Sequence, residues 1–330
     1  MNRLTLERIS NNSVMEKRLT VFQTIDWMMF VSNTQNAEPV VARVLDGDAV
    51  VGHFYGLIVT RYGVRILGSP FPGWTTSYMG FQFDIPVVYS EALLALEIFA
   101  FRKLKCIHIE IMDRYIMPDD FTKAKFNYRI QPGFEIDLTQ TEDEIFRSFK
   151  SSCRRCIRKA EKNGVKVEVA QDKTFVNDYY SQLVQVFAKQ KLVPTYSIKR
   201  IEALIDYLLP TGQLLLLRAK DRDGKCIATG IFPAYNDMMY FFGGASWTKY
   251  QILRPNEAIQ WFAIRYWKYK GISKYDMGGG GDYKMKYGGK TIVIPWGRKS
   301  KFTILENLRN IGQLVVNAKQ RINGRLSRIN

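Results

Sequence analysis

The chain has 330 residues, 46% of them hydrophobic, and a formal net charge of +17 at pH 7. This length sets a prior of about two domains, each with enough apolar residues for its own core, and excludes a scaffold that depends on disulfide staples. The four cysteines, Cys106, Cys153, Cys156 and Cys226, include a single CxxC with no second pair, so they read as reduced thiols.

Met1 to Ile9 carries Arg3, Glu7 and Arg8 and no apolar segment of signal-peptide length, which predicts a cytoplasmic protein. No run approaches the ~18 apolar residues of a membrane-spanning helix; among the longest, Glu91 to Phe101 is interrupted by Glu97. Leu19 to Val31 reads as a strand-and-helix entry containing Phe22-Gln23 and Trp27. Val40 to Leu45 and Ala49 to Val59 alternate around Asp46-Gly47-Asp48, a hairpin turn. Arg65 to Leu67 is a third strand, followed by the loop Gly68 to Trp74. Helix Ser90 to Lys103 and strand Cys106 to Ile111 come next.

Phe134 to Leu138 is a strand, and Thr141-Glu142-Asp143-Glu144 is a capping box that opens a helix continuing through Asn163-Gly164. A second helix spans about Phe175 to Lys191. The hairpin then recurs, with Leu214 to Ala219 and Ile227 to Phe232 around Asp223-Gly224. Met239 to Gly243, helix Asn256 to Lys270 and strand Lys274 to Met277 complete the second set. From Arg298 the tail is basic and amphipathic, with Phe302, Leu305, Leu308 and Ile311 at helical spacing.

One helix-then-strand phrase is thus written twice. Glu257 stands 166 residues after Glu91, and Asp276 stands 166 after Glu110. So long a spacing predicts two copies of one α/β domain, 1–132 and 133–330, facing each other across a cleft that is the default place for chemistry.

The charge implies anionic partners: phosphates, nucleic acid or acidic lipid. Arg154, Arg155, Arg158, Lys159 and Lys162 form a dense basic stripe on one helix, fit either for a phosphate-rich partner or for solvation. His53 and His108 lie in apolar strands without metal-ligand partners, so no metal site is expected.

Several segments resemble the FemABX-like peptidoglycan aminoacyltransferases and their tandem-GNAT (BioF2-like) acyltransferase relatives. These are Cys153-Arg154-Arg155-Cys156-Ile157-Arg158-Lys159-Ala160 running to Gly164, Arg254-Pro255-Asn256, Tyr275-Asp276-Met277-Gly278-Gly279 and Tyr283-Lys284-Met285-Lys286-Tyr287-Gly288-Gly289, in the family's order, with Phe22-Gln23-Thr24 and Trp27 at the entry. The resemblance implies two tandem GNAT-like domains, mixed sheets covered by helices, and transfer of an activated aminoacyl or acyl group onto an amine. The segment Lys150 to Lys191 holds only two ordinary helices, which leaves no room for a long coiled-coil arm.

The resemblance places Lys284 beside the reacting ester, where its charge would stabilise an oxyanion. Asp276 orients the amine, accepts its proton, or caps the glycine loop. Arg254 and Asn256 open a helix suited to an anion; Lys286, Tyr283, Gly278, Gly279, Arg155, Arg158 and Lys159 are the remaining candidates for substrate and phosphate binding. Coenzyme A sites of GNAT enzymes use a Q/R-x-x-G-x-G/A loop, whereas this chain reads Gln251-Ile252-Leu253-Arg254-Pro255-Asn256, without the glycines. The lysine that nucleotide-precursor enzymes carry after the entry tryptophan is also missing: Met28-Met29-Phe30-Val31 follow Trp27.

The expectation is therefore an enzyme with no permanently bound cofactor. It would use aminoacyl-tRNA or acyl-CoA as co-substrate and form an amide on a cell-envelope precursor for cell-wall biogenesis. The alternatives are an acyl-CoA-dependent N-acyltransferase acting on an amino sugar of a surface polysaccharide, and a non-catalytic basic module for tRNA or membrane. Peripheral contact with the inner membrane face is compatible with any of these.

Overall fold

The apolar strands on either side of Asp46-Gly47-Asp48 fold back on each other because Gly47 takes the left-handed turn conformation, φ 61°. The computed structural model describes residues 4–9, 19–279 and 281–302. By compactness the chain divides into two units: residues up to Pro132 completed by the segment from Val293, and Gly133–Ile292.

The chain order is β1 (Thr5–Ile9), α1 (Ile25–Gln35), β2 (Glu38–Asp46), β3 (Ala49–Arg61), β4 (Val64–Ser69), β5 (Gly80–Phe83), α2 (Tyr89–Ile98), β6 (His108–Met112), α3 (Pro118–Lys123) and β7 (Asn127–Asp137). There follow α4 (Glu142–Ser148), α5 (Ser151–Lys162), β8 (Lys166–Val169), α6 (Phe175–Lys189), α7 (Ile198–Leu208), β9 (Leu214–Lys220), β10 (Cys226–Tyr235), β11 (Met238–Tyr240), β12 (Gly243–Ser246), α8 (Pro255–Tyr269), β13 (Lys274–Asp276) and β14 (Lys290–Ser300).

In the first unit β3 is the central strand. It pairs with β2 on one edge and with both β5 and β4 along the other; β4 then runs parallel to β6, Ile66 opposite His108. In the second unit β10 does the same, with β9 on one edge, β12 and β11 on the other, and β11 parallel to β13, Met238 opposite Lys274. The repeated phrase in the sequence is this repeated pairing. The apolar helix α2 and its wide final turn Phe99–Lys103 cover one core, and α8 with α5 covers the other, with Ala92, Leu93 and Leu96 in the first and Ile259, Ala263 and Ile264 in the second.

Each parallel strand gains an antiparallel neighbour from elsewhere in the chain. Trp296 to Ser300 of β14 pair with β6, and Asp137 to Glu135 of β7 pair with β13. Among the described residues the second unit thus runs from Gly133 to Ile292, and the segment from Val293 belongs with the first.

The helix expected from Thr141 through Asn163 is two helices. Phe149 leaves the helical region at ψ 145°, and the Arg154 guanidinium donates to the carbonyls of Arg147 and Phe149, closing α4 just before α5 opens. Arg298 to Ser300, expected to begin the tail, belong to β14; Leu305, Leu308 and Ile311 lie outside the described residues. No helix among the described residues is long and apolar enough to cross a membrane.

Candidate active site

The second unit opens a wedge where β11 gives way to β12. Phe241 N–H donates to Asp276 O at 3.0 Å, while the next amide, Phe242 N–H, turns to Ile231 O at 3.1 Å. Beyond this switch β12 follows β10, and the pairing with β13 ends at Tyr240 opposite Asp276. A pocket of about 350 Å³ fills the gap, lined on its apolar side by Val186, Phe241 and Ile259 and on its polar side by Ser246, Asn256, Glu257, Gln260, Tyr283 and Lys286.

The start of α8 forms one wall. Arg254 sits at the N-cap with φ 63°, Pro255 takes the first helical position, and Glu257 falls in the first turn, where the helix dipole favours an anion. The Ser246 hydroxyl oxygen accepts from Gln251 Nε2 at 3.2 Å and Asn256 Nδ2 at 3.1 Å, tying this turn to β12. Glu257, 8% exposed, accepts from Lys286 Nζ at 2.7 Å. At the back, the buried Tyr275 hydroxyl donates to Gln260 Oε1 at 2.5 Å.

The glycine loop after β13 is held from within. Asp276, 1% exposed, accepts Gly278 N–H at 2.6 Å, and Gly278 and Gly281 take φ 71° and 89°, open to glycine. Lys284, 6% exposed, donates through Nζ to Met277 O at 2.5 Å and Gly279 O at 2.8 Å. Burial lowers the Lys284 pKa, against the pull of the nearby Asp276 carboxylate.

The conformation of the segment carrying these lysines separates them. Asp282–Tyr287 is a 3₁₀ helix, and at three residues per turn positions i and i+2 point apart. An extended segment would have sent both side chains to one face; instead Lys284 serves the loop carbonyls and Lys286 reaches Glu257 in the pocket.

The structure thus gathers Asn256, Lys286 and Tyr283 on the pocket wall. Lys284, Asp276, Gly278 and Gly279 form the adjoining loop, with Lys284 and Asp276 bonded to its backbone. Arg254 is exposed beside the pocket and does not line it. Arg155, Arg158 and Lys159 are exposed on α5, with the Arg158 guanidinium 5.6 Å from the Phe146 ring centroid, and none lines the pocket.

Sequence reasoning missed Glu257, Gln260, Ser246 and Gln251 as pocket residues. One signal was present, the glutamate shared by both copies of the repeat. Glu91 is exposed in the first unit, whereas Glu257 is buried in the second.

Comparison with known proteins agrees with this architecture. Residues 147–287 match the acetyltransferase (GNAT) domain family, and the pocket residues from Val186 onward lie inside that span. No curated protein matches the chain in sequence. Among solved structures, FemX superposes with a TM-score of 0.66 at 16% identity, covering 84% of this chain and 91% of its own. The C-terminal domain of a putative lysylphosphatidylglycerol synthetase from Agrobacterium fabrum gives 0.56 at 10% identity, covering 89% and 92%. A tandem GNAT protein from the clavulanic acid biosynthesis pathway gives 0.54 at 8% identity, covering 91% and 99%. At these identities the likeness is one of fold.

Proposed function

We propose that this chain, a GNAT-domain acyltransferase with the tandem fold shared by FemX, moves an aminoacyl group from aminoacyl-tRNA onto an amine of a cell-envelope precursor. The observation that carries the choice of donor is the opening of α8. Binding a coenzyme A pyrophosphate there calls for unoccupied backbone amides and close approach. In this chain Arg254 N–H is bonded to Gln251 O, Pro255 has no N–H, and the Glu257 carboxylate occupies the first turn on the pocket side. A carboxylate and a proline disfavour a diphosphate, whereas an ester-linked aminoacyl group needs no such cradle.

In the reaction the acceptor amine attacks the ester carbonyl. The C–N bond forms, the C–O bond to the ribose breaks, and the proton lost by the amine passes to the departing hydroxyl. The site contributes positioning and charge more than covalent chemistry. Lys284 is a positioning residue that fixes the glycine loop; its ammonium has three protons, two of them committed to Met277 O and Gly279 O. Lys286 is the ammonium on the pocket itself. The exposed cations of α5 supply a surface for the tRNA backbone.

The envelope assignment draws support from the motifs that resemble the FemABX-like family, from the fold shared with FemX, and from the fold shared with the C-terminal domain of a putative lysylphosphatidylglycerol synthetase, whose name joins a lysyl group to a phospholipid. The test is parallel incubation with charged tRNA and with acyl-CoA in the presence of envelope-precursor extracts, followed by mass spectrometry. Consumption of charged tRNA with a matching mass gain on an amine is expected. Consumption of acyl-CoA alone would overturn the donor assignment in favour of an N-acyltransferase.

A further inference from the structure

Glu257 is a carboxylate only half used by the protein. Its side chain is 10% exposed, and one oxygen accepts from Lys286 Nζ at 2.7 Å; among the described residues the other oxygen has no hydrogen-bond partner. An ionised carboxylate offers about four acceptor sites, and withdrawing it from water is costly while they stay empty. The polar neighbours do not fill them: Gln251 and Asn256 donate to Ser246, and Gln260 accepts from Tyr275. Glu257 itself lines the pocket, whose apolar side is formed by Val186, Phe241 and Ile259. The burial is particular to this site, since Glu91, its counterpart in the repeat, is exposed.

We infer that Glu257 receives the α-ammonium of the aminoacyl group being transferred, and so selects donors whose α-amine is free. The inference rests on the aminoacyl reading of the donor. Such an ester carries a cation one carbon from the reacting carbonyl, and a short cation fits between an acceptor-only carboxylate and apolar walls. Lys286 holds the carboxylate from one side and leaves the other for the incoming group. The apolar walls take the amino-acid side chain. An N-acylated donor brings no positive charge and leaves the carboxylate unanswered.

The probes are hydrolysis-resistant 3′-aminoacylamino-3′-deoxyadenosines of glycine, alanine, serine and lysine, each with a free and with an acetylated α-amine. Acetyl-CoA is the comparison ligand. Dissociation constants are measured by calorimetry on the full-length protein, with circular dichroism to show that each variant is folded. With wild type, at least one free-amine probe should bind about tenfold or more tighter than its acetylated form, the scale of a hydrogen bond between charged groups. Glu257→Gln should remove that preference by weakening the free-amine form alone. Lys286→Met, which leaves Glu257 in place, should keep it.

Equal binding of free and acetylated probes to wild type would overturn the ammonium site and leave the aminoacyl donor standing. So would equal weakening of both by Glu257→Gln, or loss of the preference in Lys286→Met. Binding of acetyl-CoA with no binding of any aminoacyl probe would overturn the donor reading and the ammonium site together.

Discussion

Replacing Lys284 with methionine keeps most of its bulk and removes its charge, and the structure predicts a loss of stability together with a loss of turnover. Nζ makes two bonds to carbonyl oxygens, at 2.5 and 2.8 Å, in a side chain that is 6% exposed. At roughly 1.5 kcal/mol for each bond to a charged donor, the pair is worth about 3 kcal/mol. Relief of the ammonium's desolvation, the same burial that lowers its pKa, offsets part of this and leaves a net loss of about 2 kcal/mol. For the second unit, Gly133–Ile292, unfolding as one domain, that is a drop of roughly 4–8 °C in Tm, read by circular dichroism or calorimetry. Turnover is measured in parallel by mass spectrometry with charged tRNA. A variant that melts within about 1 °C of wild type would refute the assignment of Lys284 to the loop carbonyls, whatever its activity.

Two further perturbations probe other parts of the molecule. Burial pushes the Asp113 carboxyl up to about 6, against three backbone N–H groups from Tyr115, Phe81 and Ile116 that pull it down. Because the folded value lies above the ordinary 3.8, its favourable contribution is complete below that value and is lost as the pH rises through about 6. The stability of wild type relative to Asp113→Asn should therefore fall by about 2–3 kcal/mol between about pH 4 and about pH 7 in urea titrations, and a difference that does not change with pH would contradict this. On α5, the exposed Arg155, Arg158 and Lys159 should each contribute to binding of charged tRNA. Their combined replacement by alanine should flatten the slope of log affinity against log salt by about 2, measured by filter binding or anisotropy, and an unchanged slope would remove this face from the RNA surface.

Much of the scaffold was legible in the sequence because its signals are local. Asp46-Gly47-Asp48 and Asp223-Gly224 mark hairpin turns through backbone conformations that glycine adopts freely, and Gly47 and Gly224 do have φ of 61° and 79°. The apolar faces of α2 and α8 and the strands after them repeat at one offset, and both lead into parallel pairs. What escaped the sequence depends on partners far away. Nothing near Trp296 announces that its strand pairs with β6, nor does anything near Glu135 announce β13, since a strand shows its periodicity but not its neighbour. The break between α4 and α5 is also a tertiary choice: Lys150 N–H donates to Lys286 O at 2.9 Å, which lends the start of α5 to the same segment that carries Lys284.

That last contact bears on why the chemistry is harder to read than the fold. By residue type alone, without the family resemblance, Lys284 and Lys286 look equivalent, two cations among aromatics, and what separates them in space is the helical winding of Asp282–Tyr287. The winding is fixed at both ends: Lys284 N–H donates to Gly281 O at 3.1 Å, and a Cβ on Gly288, at φ 70°, would lie 2.4 Å from Ser148 Oγ. Tyr287 is buried between these ends, its ring edge-on to Phe149 at 5.6 Å. The packing of one tyrosine thus decides which lysine locks the loop and which one meets Glu257. A substitution that loosened Tyr287 would disturb both at once, so the loop and the pocket should respond together to changes in that aromatic contact, although Lys284 and Glu257 share no hydrogen bond.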